Sequence, residues 1–389
     1  MALWSAGFRP FFLAAAFSAT VSLWYWLGGY LGYWTFPVAW PLKILHAHEM
    51  LFGFVGAAIA GFMLTAVPNW TQSKPLAGPK LIALFSVWLF ARIGVWSAPW
   101  LPLEIIAAIN LLFFPSLILA ILPAIFASKQ FKSMVFLVLL AAMFMSQTWT
   151  YAGIMGWIEH GSIHGLHLAL FIICVIVVII SGRIIPNFTR NYLVTTFASS
   201  PVKSHPLANG LTIVSLLAYI GASMWFSTTN LLLAILSGAL AISLLARCWH
   251  WAASSCLHNP ILAILHIGHA WLPIGFGLLC ANHLFPEISQ QAGFHALTAG
   301  AMGTLIIAVM SRASLGHTGR ELIADRITII AYTLVVGGAV MRVVANLLSP
   351  SLLEISLGVG GILWALGFLL FGIRFLPILL SPRTQKSST

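Results

Sequence analysis

Twelve apolar stretches, each long enough to cross the hydrocarbon of a bilayer, follow one another along this sequence with no intervening segment longer than a loop. They run near 9–30, 46–67, 80–98, 102–127, 132–156, 160–185, 207–225, 229–249, 260–284, 291–314, 322–348 and 351–378, punctuated by Pro, Gly, Asn and charge. Lipid offers an exposed amide no water, so such runs close their backbone hydrogen bonds internally, as helices. A soluble alternative fails on composition: 60% of residues are hydrophobic and 6% charged, where a water-facing domain carries about 25% charged residues. The expected fold class is all-α, a polytopic integral membrane protein with twelve transmembrane helices forming one transmembrane domain over 1–389.

Positive charge tests this count, because Lys and Arg in short loops are retained on the cytoplasmic side. Lys43 falls in an opposite-side loop, and Arg92 and Arg342 fall inside spans. The other fifteen of the eighteen basic residues, from Arg9 and Lys74 to Arg383 and Lys386, lie on one side of a twelve-span arrangement. Both termini are therefore expected in the cytoplasm. This bias and attraction to anionic lipid headgroups account for the net charge of +11, and no nucleic-acid partner is expected. The segment 11–30 has no small-residue cleavage site and is long enough to span, so it reads as a membrane helix rather than a signal peptide. Cys174, Cys248, Cys256 and Cys280 form no C-x-x-C pair, which argues against a zinc or disulfide framework.

The second stretch opens with His46-Ala47-His48-Glu49 and closes at Pro68-Asn69-Trp70-Thr71, while the sixth carries His164 and closes at Pro186-Asn187-Phe188-Thr189. In each, a histidine (His46, His164) precedes the proline by 22 positions. The tenth stretch aligns on the second without a gap, matching His48, Gly53 and Gly56 to His295, Gly300 and Gly303. Stretches two, six and ten are four apart. The simplest arrangement is three units of four helices, near 1–128, 129–250 and 251–389, with equivalent helices facing a shared interior. Chance identity in a chain with 32 glycines is the alternative. The Pro-Asn dipeptides read as helix terminators.

Thirteen histidines accompany seven acids, an odd ratio inside a membrane, where imidazole is costly to bury unless paired or ligated. With cytoplasmic termini, His46, His48, Glu49, His164, His167 and His295 share the outer depth. Imidazoles converging from several helices are how bundles hold metals and haem; the ordinary alternative for each is a hydrogen bond to a neighbouring helix. At about 100° per residue, His46 and Glu49 share a face and His48 lies roughly 200° round from His46. His266 and His269 on the ninth stretch are also three apart. Arg92 and Arg342 occupy the third and eleventh stretches, and each needs a partner at that depth. Glu104 and Glu354 are structural candidates; the carboxylates of a haem propionate also suit a planar guanidinium.

Gly7-Phe8-Arg9-Pro10-Phe11-Phe12, the run from His46 to Thr71, Gly182-Arg183-Ile184-Ile185-Pro186, Leu265-His266 with Ala270-Trp271-Leu272-Pro273, and the run from His295 to Arg320 resemble the NnrS family. These segments span nearly the whole chain. The resemblance implies a bacterial inner-membrane protein of twelve spans that contains haem and copper and is associated with denitrification and the response to nitric oxide. His46, His48, Glu49, His266, His295 and His317 match family-typical positions; His164, His167 and His269 do so less. The arrangement is also similar to that of haem-copper oxidase catalytic subunits, which place ligand histidines on the second, sixth and tenth of twelve spans. This chain lacks the adjacent His-His pair used there for copper, so oxygen reduction does not carry over.

On this reading His48 and His295 are the expected axial ligands of a b-type haem, Arg92 and Arg342 candidates for its propionates, and Glu49 the candidate for proton delivery. His46, Glu49, His266 and His269 are candidate ligands of a second metal, copper or iron, because a helix that gives His48 to haem presents His46 and Glu49 elsewhere. The alternative for His266 and His269 is a separate polar pocket. The expected function is the handling of nitric oxide or nitrosylated iron, by reduction or by binding, with quinol from the bilayer as electron donor. The rival class is a transporter or sensor for a small molecule or metal, in which buried polar groups bind cargo without electron transfer.

Overall fold

The structure is a computed structural model that describes residues 2–34, 40–129, 131–203, 205–226, 229–347 and 350–384. It is 82% helical, with no strands among the described residues. Among the described residues twelve helices are long and apolar enough to cross a membrane. In chain order they are α1 (Phe8–Tyr30), α2 (Leu42–Thr71), α3 (Pro79–Trp96), α4 (Leu103–Ala127), α5 (Met134–Ile154), α6 (Gly161–Phe197), α7 (Pro206–Ser223), α8 (Leu231–Cys248), α9 (Pro260–Leu284), α10 (Gln290–His317), α11 (Arg326–Ala345) and α12 (Leu353–Leu380). Each of the twelve apolar stretches coincides with one of them.

Local chemistry sets several boundaries. Pro79 and Pro260 sit in the first turns of α3 and α9, where a missing N–H does no harm. The Asp325 carboxylate accepts from the Thr328 amide at 2.9 Å and starts α11. The expectation that Pro-Asn dipeptides terminate helices holds near Pro68 and is corrected at Pro186. Pro186 lies inside α6, which continues to Phe197, and Pro68 lies inside α2, which ends at Thr71 with Gln72 in the left-handed conformation. Proline removes one donor, and membrane helices tolerate that where neighbouring groups take up the freed carbonyls.

The outward faces fit lipid rather than water. On α7 the strongly exposed residues include Leu207, Leu211, Val214 and Leu217, an apolar stripe at helical spacing that water would not tolerate and a hydrocarbon would.

The chain forms two compact units. The first comprises Met1–Ile172, Met310–Glu321 and Phe368–Thr389, the second Ile173–Val309 and Leu322–Gly367. Helices α6, α10 and α12 contribute residues to both.

Hydrogen bonds within each unit fix which helix ends lie together. In the first unit, buried Arg9 donates through Nη1 to the carbonyls of Leu379 and Ser381, both at 2.7 Å. The Gly78 amide, beyond α2, donates to the Trp4 carbonyl, and the Thr384 amide, beyond α12, donates to the Thr318 carbonyl at the end of α10. The start of α1 and the ends of α2, α10 and α12 thus share one face. In the second unit the Lys203 amide, beyond α6, donates to the His250 carbonyl beyond α8. Every helix end brought together this way is one that an up-and-down chain of spans places on the same side.

Among the described residues two of the twelve helices depart from α winding, and they do so at matching positions after a histidine. Residues Glu49–Val55 of α2 and Ala296–Met302 of α10 form π-helical turns, the first following His48 and the second following His295. A π turn leaves carbonyls without their usual i+4 donors, and such turns concentrate at functional sites. Indoles supply donors here: Trp88 Nε1 donates to the Gly53 carbonyl at 3.1 Å, and Trp364 Nε1 donates to the Ala299 carbonyl at 3.2 Å. Gly303 closes the second π turn with no side chain because a Cβ there would stand 2.8 Å from that indole nitrogen.

Candidate functional site

The first unit holds a buried polar constellation at the start of the α2 π turn. His48 is 0% and Glu49 2% exposed. His48 Nδ1 lies 3.1 Å from Glu49 Oε1. Arg92 of α3, one turn beyond Trp88, donates from Nη1 to the same Glu49 oxygen and from Nη2 to Asn110 Oδ1 at 2.5 Å. Asn110 of α4 is held in turn, its Nδ2 donating to the carbonyls of Ala91 and Ile106. A buried carboxylate here has its guanidinium, and that guanidinium has a second acceptor, as burial of charge requires.

The carboxylate oxygen only accepts, so His48 Nδ1 carries the proton and donates to it. Nε2 then presents its lone pair, and it is buried without a hydrogen-bond partner among the described residues. Three aromatic rings stand nearly edge-on to the imidazole: Phe52 at 5.0 Å, Trp40 at 5.3 Å and Tyr151 at 5.4 Å between centroids. Trp40 and Tyr151 pack into an apolar cluster with Val95, Ile106 and Ala107, which keeps water from the ring. Glu49 Oε2, Arg92 Nε and the Tyr151 hydroxyl also have no hydrogen-bond partner among the described residues. An imidazole oriented by a carboxylate through Nδ1, with Nε2 free, is the form in which histidine ligates a metal.

Two expectations are corrected. Glu49 does not face away from His48: the side chain curls back to the neighbouring ring, and the winding changes at this residue, so the regular 100° spacing no longer applies. Glu104 is exposed and is not the partner of Arg92, which is committed to Glu49 and Asn110. Arg92 Nε is buried without a hydrogen-bond partner among the described residues.

The other candidates are distributed as follows. His46 stacks on Trp26 at 4.4 Å. His164 lies 5.8 Å from Trp149. His295, half-buried, places Nδ1 2.8 Å from the Gln291 carbonyl, so this nitrogen donates and the ring has the same tautomer as His48. Arg342 is half-buried on α11. His266 and His269 take hydroxyl partners on α6: Thr189 Oγ1 lies 3.0 Å from His266 Nε2, and Ser181 Oγ lies 3.1 Å from His269 Nδ1. Among the described residues no three His, Cys, Asp or Glu side chains are grouped to hold a metal ion. Asn110 escaped the sequence reading, although a lone carboxamide amid Ile109, Leu111 and Leu112 is a usable signal. Tyr151 and Trp40 gave none, since aromatics are common at span ends.

The fold and the buried site define a polytopic membrane protein with an intramembrane ionisable centre. The model of the NnrS protein family matches residues 2–383, nearly the whole chain, and the protein belongs to that family. A search of curated proteins found no match.

Proposed function

We propose that this protein binds haem through His48 and takes part in the response to nitric oxide, by binding the gas or nitrosylated iron or by reducing it. The observation that carries the reading is the buried, unpartnered Nε2 of His48, whose ring is oriented by Glu49 through Nδ1. Membership of the NnrS family supports the link to nitric oxide and to haem and metal. When bound, a haem would supply a binding site for a diatomic and a redox centre.

The chain's own residues do the rest. Glu49 fixes the tautomer of His48, and Arg92 with Asn110 fixes Glu49. Phe52, Trp40 and Tyr151 exclude water, and the Tyr151 hydroxyl stands ready as a proton donor beside the imidazole. His295, in the second unit, has the same tautomer on α10.

The experiment is a visible spectrum of the purified protein. A Soret band that shifts on reduction and on addition of nitric oxide, and that is lost or altered in His48→Ala with the variant still folded in the membrane, is expected. A wild-type protein without haem would favour the cargo-binding class, and an unchanged band in His48→Ala would remove that residue from the centre.

A further inference from the structure

The second unit contains a polar site that the haem reading does not use. Arg247, in the last turn of α8, is 6% exposed, yet its Nε and Nη1 have no hydrogen-bond partner and no Asp or Glu forms an ion pair with it among the described residues. The guanidinium lies over Trp251, 5.8 Å from the ring centroid. It also lies directly on α6 at Gly182, where a Cβ would fall 1.4 Å from Nη2. The residue before that glycine, Ser181, hydrogen-bonds His269 of α9. His269 is 1% exposed, its ring packs 4.6 Å from Trp251, and its Nε2 has no hydrogen-bond partner among the described residues. Trp251 therefore borders both an unpaired guanidinium and an unpaired imidazole nitrogen.

A cation buried inside a membrane protein is retained where something pairs with it, and here no carboxylate among the described residues does so. We propose that Arg247 and His269 bind a carboxylate group carried by a ligand. One guanidinium beside a neutral imidazole balances a single negative charge. The planar fork of N–H groups matches a planar carboxylate better than it matches a spherical halide. The Ser181 hydroxyl lies 3.1 Å from His269 Nδ1 and 3.5 Å from the Val178 carbonyl; when its one hydrogen goes to Nδ1, the proton of His269 sits on Nε2, and that nitrogen adds a third donor. Gly182 is the permissive element, because any side chain there would push the guanidinium off α6.

The carboxylate can come from a free small acid or from a lipid headgroup, and the two are separable. The purified full-length protein is titrated with formate against chloride in detergent, and is also placed in nanodiscs of phosphatidylserine or of phosphatidylglycerol, which carry the same net charge with and without a carboxylate. A ligand that binds the folded state raises the unfolding midpoint saturably. A rise with formate supports a free acid, and a rise with phosphatidylserine over phosphatidylglycerol alone supports a headgroup. Either response should weaken at least tenfold in apparent affinity in Arg247→Gln and less in His269→Gln. Gly182→Ala, which displaces the guanidinium while keeping it, should weaken it too, and it decides the matter if Arg247→Gln does not fold. No saturable rise with either carboxylate in the wild type, or an undiminished one in Arg247→Gln or Gly182→Ala, overturns the proposal.

Discussion

His48 Nδ1 and Glu49 Oε1, carried by consecutive residues, lie 3.1 Å apart at the point where α2 passes from α to π winding. Neighbours in sequence rarely bond to each other on a regular helix, where they point about 100° apart. The local change of winding and the length of the glutamate side chain bring them together. Arg92 then locks the arrangement, because a guanidinium shared between Glu49 and Asn110 leaves the carboxylate little freedom to turn away.

The Arg92–Glu49 pair is buried on both sides, so removing one partner leaves the other charged and uncompensated. Arg92→Leu is expected to destabilise the protein by about 3–5 kcal/mol, and the double change Arg92→Leu with Glu49→Leu by much less. Unfolding midpoints in detergent check this. A double variant as unstable as the single one would show that the pair is not the unit that matters.

The π turns make a second demand. Trp88 Nε1 satisfies the Gly53 carbonyl inside the membrane, where no water can replace it. Trp88→Phe keeps the ring's bulk and removes the donor, and should cost about 1–3 kcal/mol. Trp364→Phe should do the same at Ala299. Hydrogen exchange of the π-turn amides should quicken in each variant, and unchanged exchange and stability in both would mean that the indole bonds contribute nothing.

Much of this architecture was legible because membrane helices announce themselves by length and apolarity, and helix ends by Pro and Asp. The twelve stretches, the burial of His48 and Glu49 and the register shared by α2 and α10 all left traces in residue type. The partner of Arg92 left none: Glu49 lies 43 positions away, and only packing selects it over Glu104. The π winding after His48 and His295 was hidden for a related reason. No residue type encodes it, and the matched glycines at Gly53 and Gly300 gave only its location. Arg247 was hidden by its own type, since a basic residue near a span end looks like an ordinary loop cation until its burial is known.

Cys256 lies in a short 3-10 turn between α8 and α9 and is fully buried. Burial pushes its thiol above the ordinary range, with a hydrogen bond to Thr189 partly opposing the shift. Alkylation needs the thiolate, and a raised value keeps the neutral thiol at pH 8. Cys256 should therefore resist iodoacetamide in the folded protein and react once dodecyl sulfate unfolds it, as peptide mass spectrometry would record. Prompt labelling of the folded protein at pH 8 contradicts the burial.

The sidedness of the first unit can be tested from its two ends. Arg9 bonds to the carbonyls of Leu379 and Ser381, so both ends of the described chain lie at one face, together with the ends of α2 and α10. That face carries Arg9, Lys74, Lys80, Arg320 and Arg383, and basic residues in short connections are held in the cytoplasm. The opposite face, at the α1–α2 connection, has Lys43 alone nearby. A reporter active only in the cytoplasm should therefore work when fused after Thr384 and fail when inserted after Tyr33, and one active only outside should do the reverse. If the fusion after Thr384 were active outside, the charge argument would be overturned and the α1–α2 connection would lie in the cytoplasm. The hydrogen bonds of Arg9 would survive that result, since they fix only that the two ends lie together.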